Sequence, residues 1–224
     1  MDESSARSCE ELVRGIVQSD AGLILEIVGP SGDPVGSLVA ITRSRAEDLE
    51  LAAQFARWRN AAGKWFLTQF TATAERTRLW LSEIVTADPT RILFLMCDSD
   101  ARHVGHIGLT NISTEKAELD NLIRGEMTGH PRLVEYAERT LLRWAFDSLG
   151  VQAVICNNLA TNAMVLRLHQ ALGFRRTARI PLTRRVIAEE IVLEPGEPGA
   201  ASPDDLYIQQ MVVPRNAFLG REDA

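Results

Sequence analysis

Thr161-Asn162-Ala163-Met164-Val165-Leu166-Arg167-Leu168-His169-Gln170-Ala171-Leu172-Gly173-Phe174 follows a strongly apolar run at 151–159. An Asn ahead of an apolar stretch suits a helix N-cap, because its side-chain oxygen accepts from an amide of the first turn. Gly173 suits a helix stop, since glycine enters the left-handed region without a Cβ penalty. The spacing predicts a short helix over 162–172, a strand before it at 151–159 and another strand starting at Phe174.

Upstream, a long helix is predicted over 131–149, with Pro131 at its first position and Gly150 just past its end. Leu133, Val134, Ala137, Leu141, Trp144, Ala145 and Leu149 form its apolar stripe. Three strands precede it, at 91–98, 103–112 and 116–124, as an antiparallel meander. The path from 116–124 through the helix to 151–159 has βαβ spacing, so those two strands should be parallel. Nearer the N-terminus, Ser8 and Glu11 have capping-box spacing in a helix over 1–20. Strands at 22–28 and 35–42 flank the turn formers of 29–34 and predict a hairpin. Ser44 and Glu47 have the same capping-box spacing and predict a helix to about residue 60, and another helix is expected over 73–85. Downstream, strands are predicted at 186–193 and 206–213, with a Pro/Gly/acidic loop at 194–205. The reading is an α/β (α+β) layered domain. It has a helix and strand extension at 1–36, a main domain at 37–215 and a tail at 216–224.

With 224 residues the chain suits one such domain, and 46% hydrophobic with 24% charged residues is ordinary for a globular protein. The net charge is −6 with no basic tract, so no nucleic-acid partner is expected. No apolar run approaches bilayer length and the N-terminus is acidic and polar, so no membrane partner and no signal peptide are expected. Cys9, Cys97 and Cys156 lack metal or redox spacing, and His103, His106 and His130 share no ligand spacing. Reduced thiols, a cytoplasmic location and no metal follow as expectations.

Two places carry chemistry on residue type alone. The first is the strand–loop–helix junction Gly129-His130-Pro131-Arg132-Leu133-Val134, with Arg124 nearby. Free amides and the dipole at a helix start attract anions, so a pyrophosphate suits this place. The second is the strand 116–124, where Glu118 and Asp120 alternate with Leu119 and so share one side of the sheet. They are either a base with an ammonium-binding partner or two solvated carboxylates. Asn121 points the other way and reads as structural.

The run from Asn162 to Phe174 resembles the last motif of the GCN5-related N-acetyltransferases, the GNAT superfamily. The match lies in its Asn, the His seven residues on, and the closing Gly-Phe. The helix ending at Gly150, the stretch His106-Ile107-Gly108, and the element Trp58-Arg59-Asn60 followed by Thr73 and Trp80-Leu81 resemble other parts of that family. The likeness covers roughly 38–215 and points to the ribosomal-protein N-terminal and nucleotide-sugar amine branches. It implies a GNAT-like mixed, mostly antiparallel central sheet flanked by helices, with acetyl-CoA as co-substrate. It also implies direct attack of an amine on the thioester.

Under that resemblance Asp120 or Glu118 is the base, and the backbone at Leu122 or Ile123 holds the oxyanion. His169 stands where many relatives have a Tyr that protonates the thiolate; otherwise it is a packed helix histidine. Arg124, Gly129, His130, Arg132, Leu133, Val134, Asn162 and Arg167 would hold the CoA. Arg59, Asn60, Trp65 and Asn111 would line the acceptor site, while Trp58 suits the core. The family's phosphate loop carries glycines where this chain has Arg132 and Val134. The implied acceptor is a small-molecule amine, first an amino sugar on a nucleotide, second a protein N-terminal amine. The rival is a non-catalytic acyl-CoA-binding or scaffold module. A homodimer through the N-terminal hairpin is compatible with either.

Overall fold

The computed structural model describes residues 8–222. Helix α1 (Cys9–Gln18) opens on the predicted capping box. The Ser8 hydroxyl accepts from the Glu11 amide, and the Glu11 carboxylate accepts from the Ser8 amide. Residues 1–7, also expected in this helix, lie outside the described residues. Strands β1 (Ile24–Val28) and β2 (Pro34–Ala40) form the hairpin. Next come α2 (Arg43–Ala46), α3 (Leu49–Ala62), the two-residue strand β3 (Thr68–Gln69) and α4 (Ala74–Trp80), which continues as a wider turn over Leu81–Val85. The meander is β4 (Ile92–Asp98), β5 (His103–Thr110) and β6 (Lys116–Arg124). Then follow α5 (Leu133–Trp144) with its extension Ala145–Leu149, β7 (Ala153–Leu159) and α6 (Ala163–Ala171). The chain closes with β8 (Arg175–Ile187), β9 (Glu190–Pro195), β10 (Leu206–Pro214) and α7 (Arg215–Glu222).

The strands form one sheet in the order β1-β2-β4-β5-β6-β7-β10-β8-β9-β3. Every pairing is antiparallel except β6 with β7, the pair joined by the α5 crossover. Helices cover both faces. On one face α1, α5, α6 and α7 pack with Val13, Phe94, Leu119, Leu141, Phe146 and Phe218. On the other, α3 and α4 pack with Phe55, Trp58, Leu81, Leu93, Leu95 and Ile123. A smaller cluster of Leu159, Leu182, Leu193 and Ile208 sits where β7, β8, β9 and β10 meet. Residues expected as an N-terminal extension thus add two strands to the main sheet, and the expected tail adds α7, whose Phe218 is buried. No helix among the described residues is long and apolar enough to cross a membrane.

Three local expectations are corrected. Ser44 does not cap the helix that runs to residue 60. Thr42 caps the short α2 and bonds the Ser44 hydroxyl, while the Asp48 carboxylate caps α3 by accepting from Glu50 and Leu51. A charged oxygen at a helix start also meets the positive end of the dipole, which a hydroxyl does less well. Pro131 precedes α5 instead of opening it. The run 186–193 is not one strand, because Ala188 (φ 47°) and Glu189 (φ 71°) reverse the chain between β8 and β9.

Gly125 follows β6 and lies against the buried Trp58 of α3. A Cβ there would come within 2.2 Å of three Trp58 ring atoms. The Trp58 Nε1–H donates to the Glu126 carboxylate at 2.9 Å, so the ring is held in place. Gly125→Ala is therefore expected to cost about 1–3 kcal/mol of stability through overpacking, measured by urea unfolding.

Candidate active site

The site begins with a fault in a β-ladder. β6 and β7 pair in parallel from Lys116↔Ala153 to Leu119↔Cys156. Past Leu119, β6 runs on to Arg124 and β7 to Leu159 without pairing to each other. At the same point the register of β6 on β5 slips between His106↔Ile123 and Gly108↔Asp120. Asn121 occupies the slip with φ 54°, a conformation Asn tolerates better than most residues. This is a bulge, and the extra residue reverses which face the following side chains meet. Leu119 belongs to the α5 face of the core and Ile123 to the α3 face.

His106 holds the bulge. It is 3% exposed, lies 4.5 Å from the Phe55 ring centre, and places Nδ1 2.6 Å from the Asn121 carbonyl oxygen. Burial pushes its imidazole down to about 4, against the raising effect of that hydrogen bond. The ring is therefore neutral near pH 7, and Nδ1–H donates to the carbonyl. The unpaired edge of β6 beside β7 is where the backbone of Leu122 and Ile123 lies.

The α3 side of this opening is polar. Glu118 accepts from Asn157 Nδ2 at 2.8 Å and from Asn111 Nδ2 at 3.0 Å, and Asn157 in turn accepts from Gln210. Asp120 accepts from Asn121 Nδ2 at 2.7 Å, with Arg91 at 3.7 Å. Burial raises the Asp120 carboxyl above its usual 3.8, outweighing the Asn121 hydrogen bond and the nearby Arg91 and Arg59. Arg59, in the last turn of α3, lies over the Phe66 ring at 3.3 Å and donates to the Thr68 carbonyl at 2.8 Å. Trp65 stands partly exposed at the rim. Asn60 donates to the Ala72 carbonyl through Nδ2 and accepts from the Ala72 amide through Oδ1, which ties α3 to the segment before α4. The structure thus brings Glu118, Asp120, Asn111 and Arg59 to one side of the sheet.

The α5 side is built differently from the expectation. Arg124 donates through its three guanidinium nitrogens to the carbonyls of Glu126, Thr128 and Pro131. It fixes the loop before α5. Arg132 is paired with Glu135 through two nitrogens, and its amide donates to His130 Nδ1. The Leu133 amide donates to the His130 carbonyl, and the Leu133 side chain is fully buried in the core. Val134 is partly buried against the same core. Gly129 turns the loop at φ 75°. Asn162 caps α6 by accepting from the Val165 amide, and Arg167 is exposed on that helix. An extended, amide-bearing arm fits the free edge of β6, since it meets unpaired backbone there. A phosphate at the α5 start would have to displace the Glu135 carboxylate from Arg132.

His169 does not join Asp120 and Glu118. It lies on the opposite face of the sheet, 1% exposed, with Nδ1 2.7 Å from the Glu138 carboxylate. Burial works against the imidazolium, but Glu138 and the Cys156 thiol outweigh it and hold the imidazole up to about 10. Cys156 itself is pushed up by burial. The expectation of direct proton delivery to a thiolate is corrected to this extent: the ring is closed into the core and engaged by Glu138 and Cys156.

Three contributors were missed, His106, Asn157 and Glu138, while Asn121, read as structural, sits at the bulge. The bulge and Glu138 left a signal. Ala117 and Leu119 keep the two-residue alternation, but the next apolar residue on that face is Leu122, three positions on, which is the mark of a bulge. Glu138 sits inside the apolar stripe of α5, next to Ala137 and three before Leu141, where an acid needs a buried partner.

Residues 38–175 match the acetyltransferase (GNAT) domain family, more than half of the chain. No curated protein sequence matches the chain. Solved structures share the fold. A probable GNAT acetyltransferase from Chromobacterium violaceum superposes with a TM-score of 0.64 at 15% identity, covering 100% of this chain and 96% of that one. Spermidine N-acetyltransferase from Vibrio cholerae, in complex with CoA and spermine, gives 0.59 at 16% identity, with 81% and 96% covered. Ribosomal-protein-S5-alanine acetyltransferase from Vibrio fischeri gives 0.59 at 14% identity, with 83% and 96% covered.

The buried pair carries a pH dependence. Folding raises the His169 imidazole from 6.5 to about 10, so its stabilisation is complete below 6.5 and is lost as pH rises through about 10. Removing the partner in Glu138→Gln is expected to cost ~3–5 kcal/mol below that range, with the gap to wild type closing toward pH 10. Urea unfolding at several pH values reads this directly, and a gap that stays constant would contradict it.

Proposed function

The chain belongs to the GNAT acetyltransferase family, and from that premise we propose that it acetylates a small amine, first among them an amino group on a nucleotide-carried sugar. Acetyl-CoA supplies the electrophilic thioester and a thiolate leaving group. The observation that carries the reading is Asp120, a half-exposed carboxylate of raised pKa next to the bulge and the unpaired edge of β6. Asp120 takes the proton from the acceptor ammonium, and a carboxylate of raised pKa does so better than an ordinary one. The backbone N–H of Leu122 or Ile123 faces the charge that develops on the carbonyl oxygen. Glu118, held by Asn111 and Asn157, sets the acceptor's position.

The choice of branch rests on resemblance alone, carried by Trp58-Arg59-Asn60 and by the run Asp120-Asn121-Leu122-Ile123-Arg124-Gly125, which is similar to one in sugar-modifying members of the family. In the fold they form one packing unit. Gly125 lies on the Trp58 ring, Trp58 bonds Glu126, and Arg59 lies near enough to Asp120 for each to shift the other's pKa. A protein N-terminal amine is the second acceptor under this reading.

Asp120→Asn is expected to lower kcat by about 10²–10⁴, the usual range for loss of a general base. The wild-type rate is expected to rise with pH through the raised Asp120 value and then level, and the variant to lose that limb. Thiol release from acetyl-CoA with a panel of amines measures both. An unchanged rate in Asp120→Asn would remove Asp120 from the mechanism. CoA binding by calorimetry without thiol release from any amine would favour the non-catalytic module.

A further inference from the structure

Arg59, Arg76 and Arg91 border the acceptor side, and they are not equivalent. Arg76 is paired with Glu190 at 2.6 Å, and Arg91 has Asp88 and Asp120 each at 3.7 Å. Among the described residues, Arg59 has no carboxylate within ion-pair distance. Its guanidinium lies flat on Phe66 and 5.3 Å from the Phe70 ring centre, with one nitrogen on the Thr68 carbonyl. Its other terminal nitrogen, NH1, is enclosed and has no hydrogen-bond partner. Burial, with Arg76 adding to it and Asp120 opposing, lowers this guanidinium to about 10. An enclosed charged donor without an acceptor is costly to keep.

The wall around Arg59 is a short stretch. Phe66, Thr68 and Phe70 belong to the segment around β3, which meets β9 through Thr68↔Val192, Gln69↔Ile191 and the Leu193 amide on the Leu67 carbonyl. A ligand that displaces this stretch reaches a planar, stacked guanidinium with an open edge, which is the geometry that recognises carboxylates and phosphates. Asp120, the proposed base for the amine, is close enough to act on Arg59 electrostatically.

We propose that the acceptor carries an oxyanion, a carboxylate or a phosphate, beside its amine, and that Arg59 is the residue that reads it. The inference rests on the acetyltransferase reading of the same site and narrows its substrate class to amines that bear an anion.

The test is binding of small probes to the full chain by calorimetry. Glucosamine 6-phosphate represents a phosphate, alanine a carboxylate, glucosamine an uncharged counterpart and spermidine a polycation. At least one anionic probe should bind about tenfold or more tighter than glucosamine and spermidine, the ratio expected for a charge-assisted hydrogen bond. Arg59→Gln should remove that advantage. Arg59→Lys, which keeps the charge and the packing over Phe66 but not the fork, should leave an intermediate affinity, and its melting temperature reports on folding. Equal affinity for the neutral or polycationic probe, no saturable binding of either anion at millimolar concentration, or an advantage that survives in both variants would overturn the proposal. Thiol release is read separately. Arg59-dependent anion binding without release would leave this inference standing and the transferase reading fallen. Release with neutral amines alone would do the reverse.

Discussion

A single hydrogen bond, from the neutral His106 imidazole to the Asn121 carbonyl, fixes the geometry on which the site depends. It satisfies a carbonyl that the bulge removes from the ladder, and it does so from inside the core against Phe55. Without the bulge, β6 would continue to pair with β7, Ile123 would face α5, and no backbone edge would remain for a ligand. Burial keeps the imidazole neutral, so the bond survives across the pH range in which an exposed histidine would change charge. A packed, uncharged side chain thus supports the point where β6 and β7 part.

The two faces of the sheet divide the work. The α3 face gathers amides, carboxylates and Arg59 around the opening. The α5 face is a dry core in which Glu138 and His169 form an ion pair beside the Cys156 thiol. Glu138 keeps one carboxylate oxygen without a partner, so the pair is an incompletely satisfied charge system. Such systems contribute less to net stability than their attraction suggests, because both charges were taken out of water. Cys156 links that pair to the opening, since it stands opposite Leu119 at the last rung before β6 and β7 part.

Much of the fold was legible in the sequence because it rests on periodicity and caps. The Ser8 capping box, the Asn162 cap, Gly150, Gly173 and the βαβ spacing all act locally, and each appears where the residues place it. The misplaced cap at Ser44 shows the limit of a spacing rule when Asp48 offers a stronger acceptor nearby. The site was less legible. Asn60 and Arg124 were identified by type and position, but each of them also bonds backbone carbonyls or amides elsewhere. Those partners, Ala72, Thr128 and Pro131, leave no mark in a sequence. Where a side chain's hydrogen bonds go is a tertiary property, so residue type alone overstates what is free to meet a ligand.

The pairing of β3 with β9 bears on how the molecule comes together. It joins Thr68 to Val192, and the Leu193 amide donates to the Leu67 carbonyl across the same gap in sequence. The β4–β5–β6 meander closes through short turns, but this contact waits for a loop of more than a hundred residues to close. Sheet assembly and completion of the acceptor wall are therefore separate events in folding. During synthesis Phe66, Thr68 and Phe70 are made early, but β9, the strand that pairs with their segment, follows β6 and β7. The segment packed on Arg59 therefore gains its strand partner only with the β8–β9 hairpin.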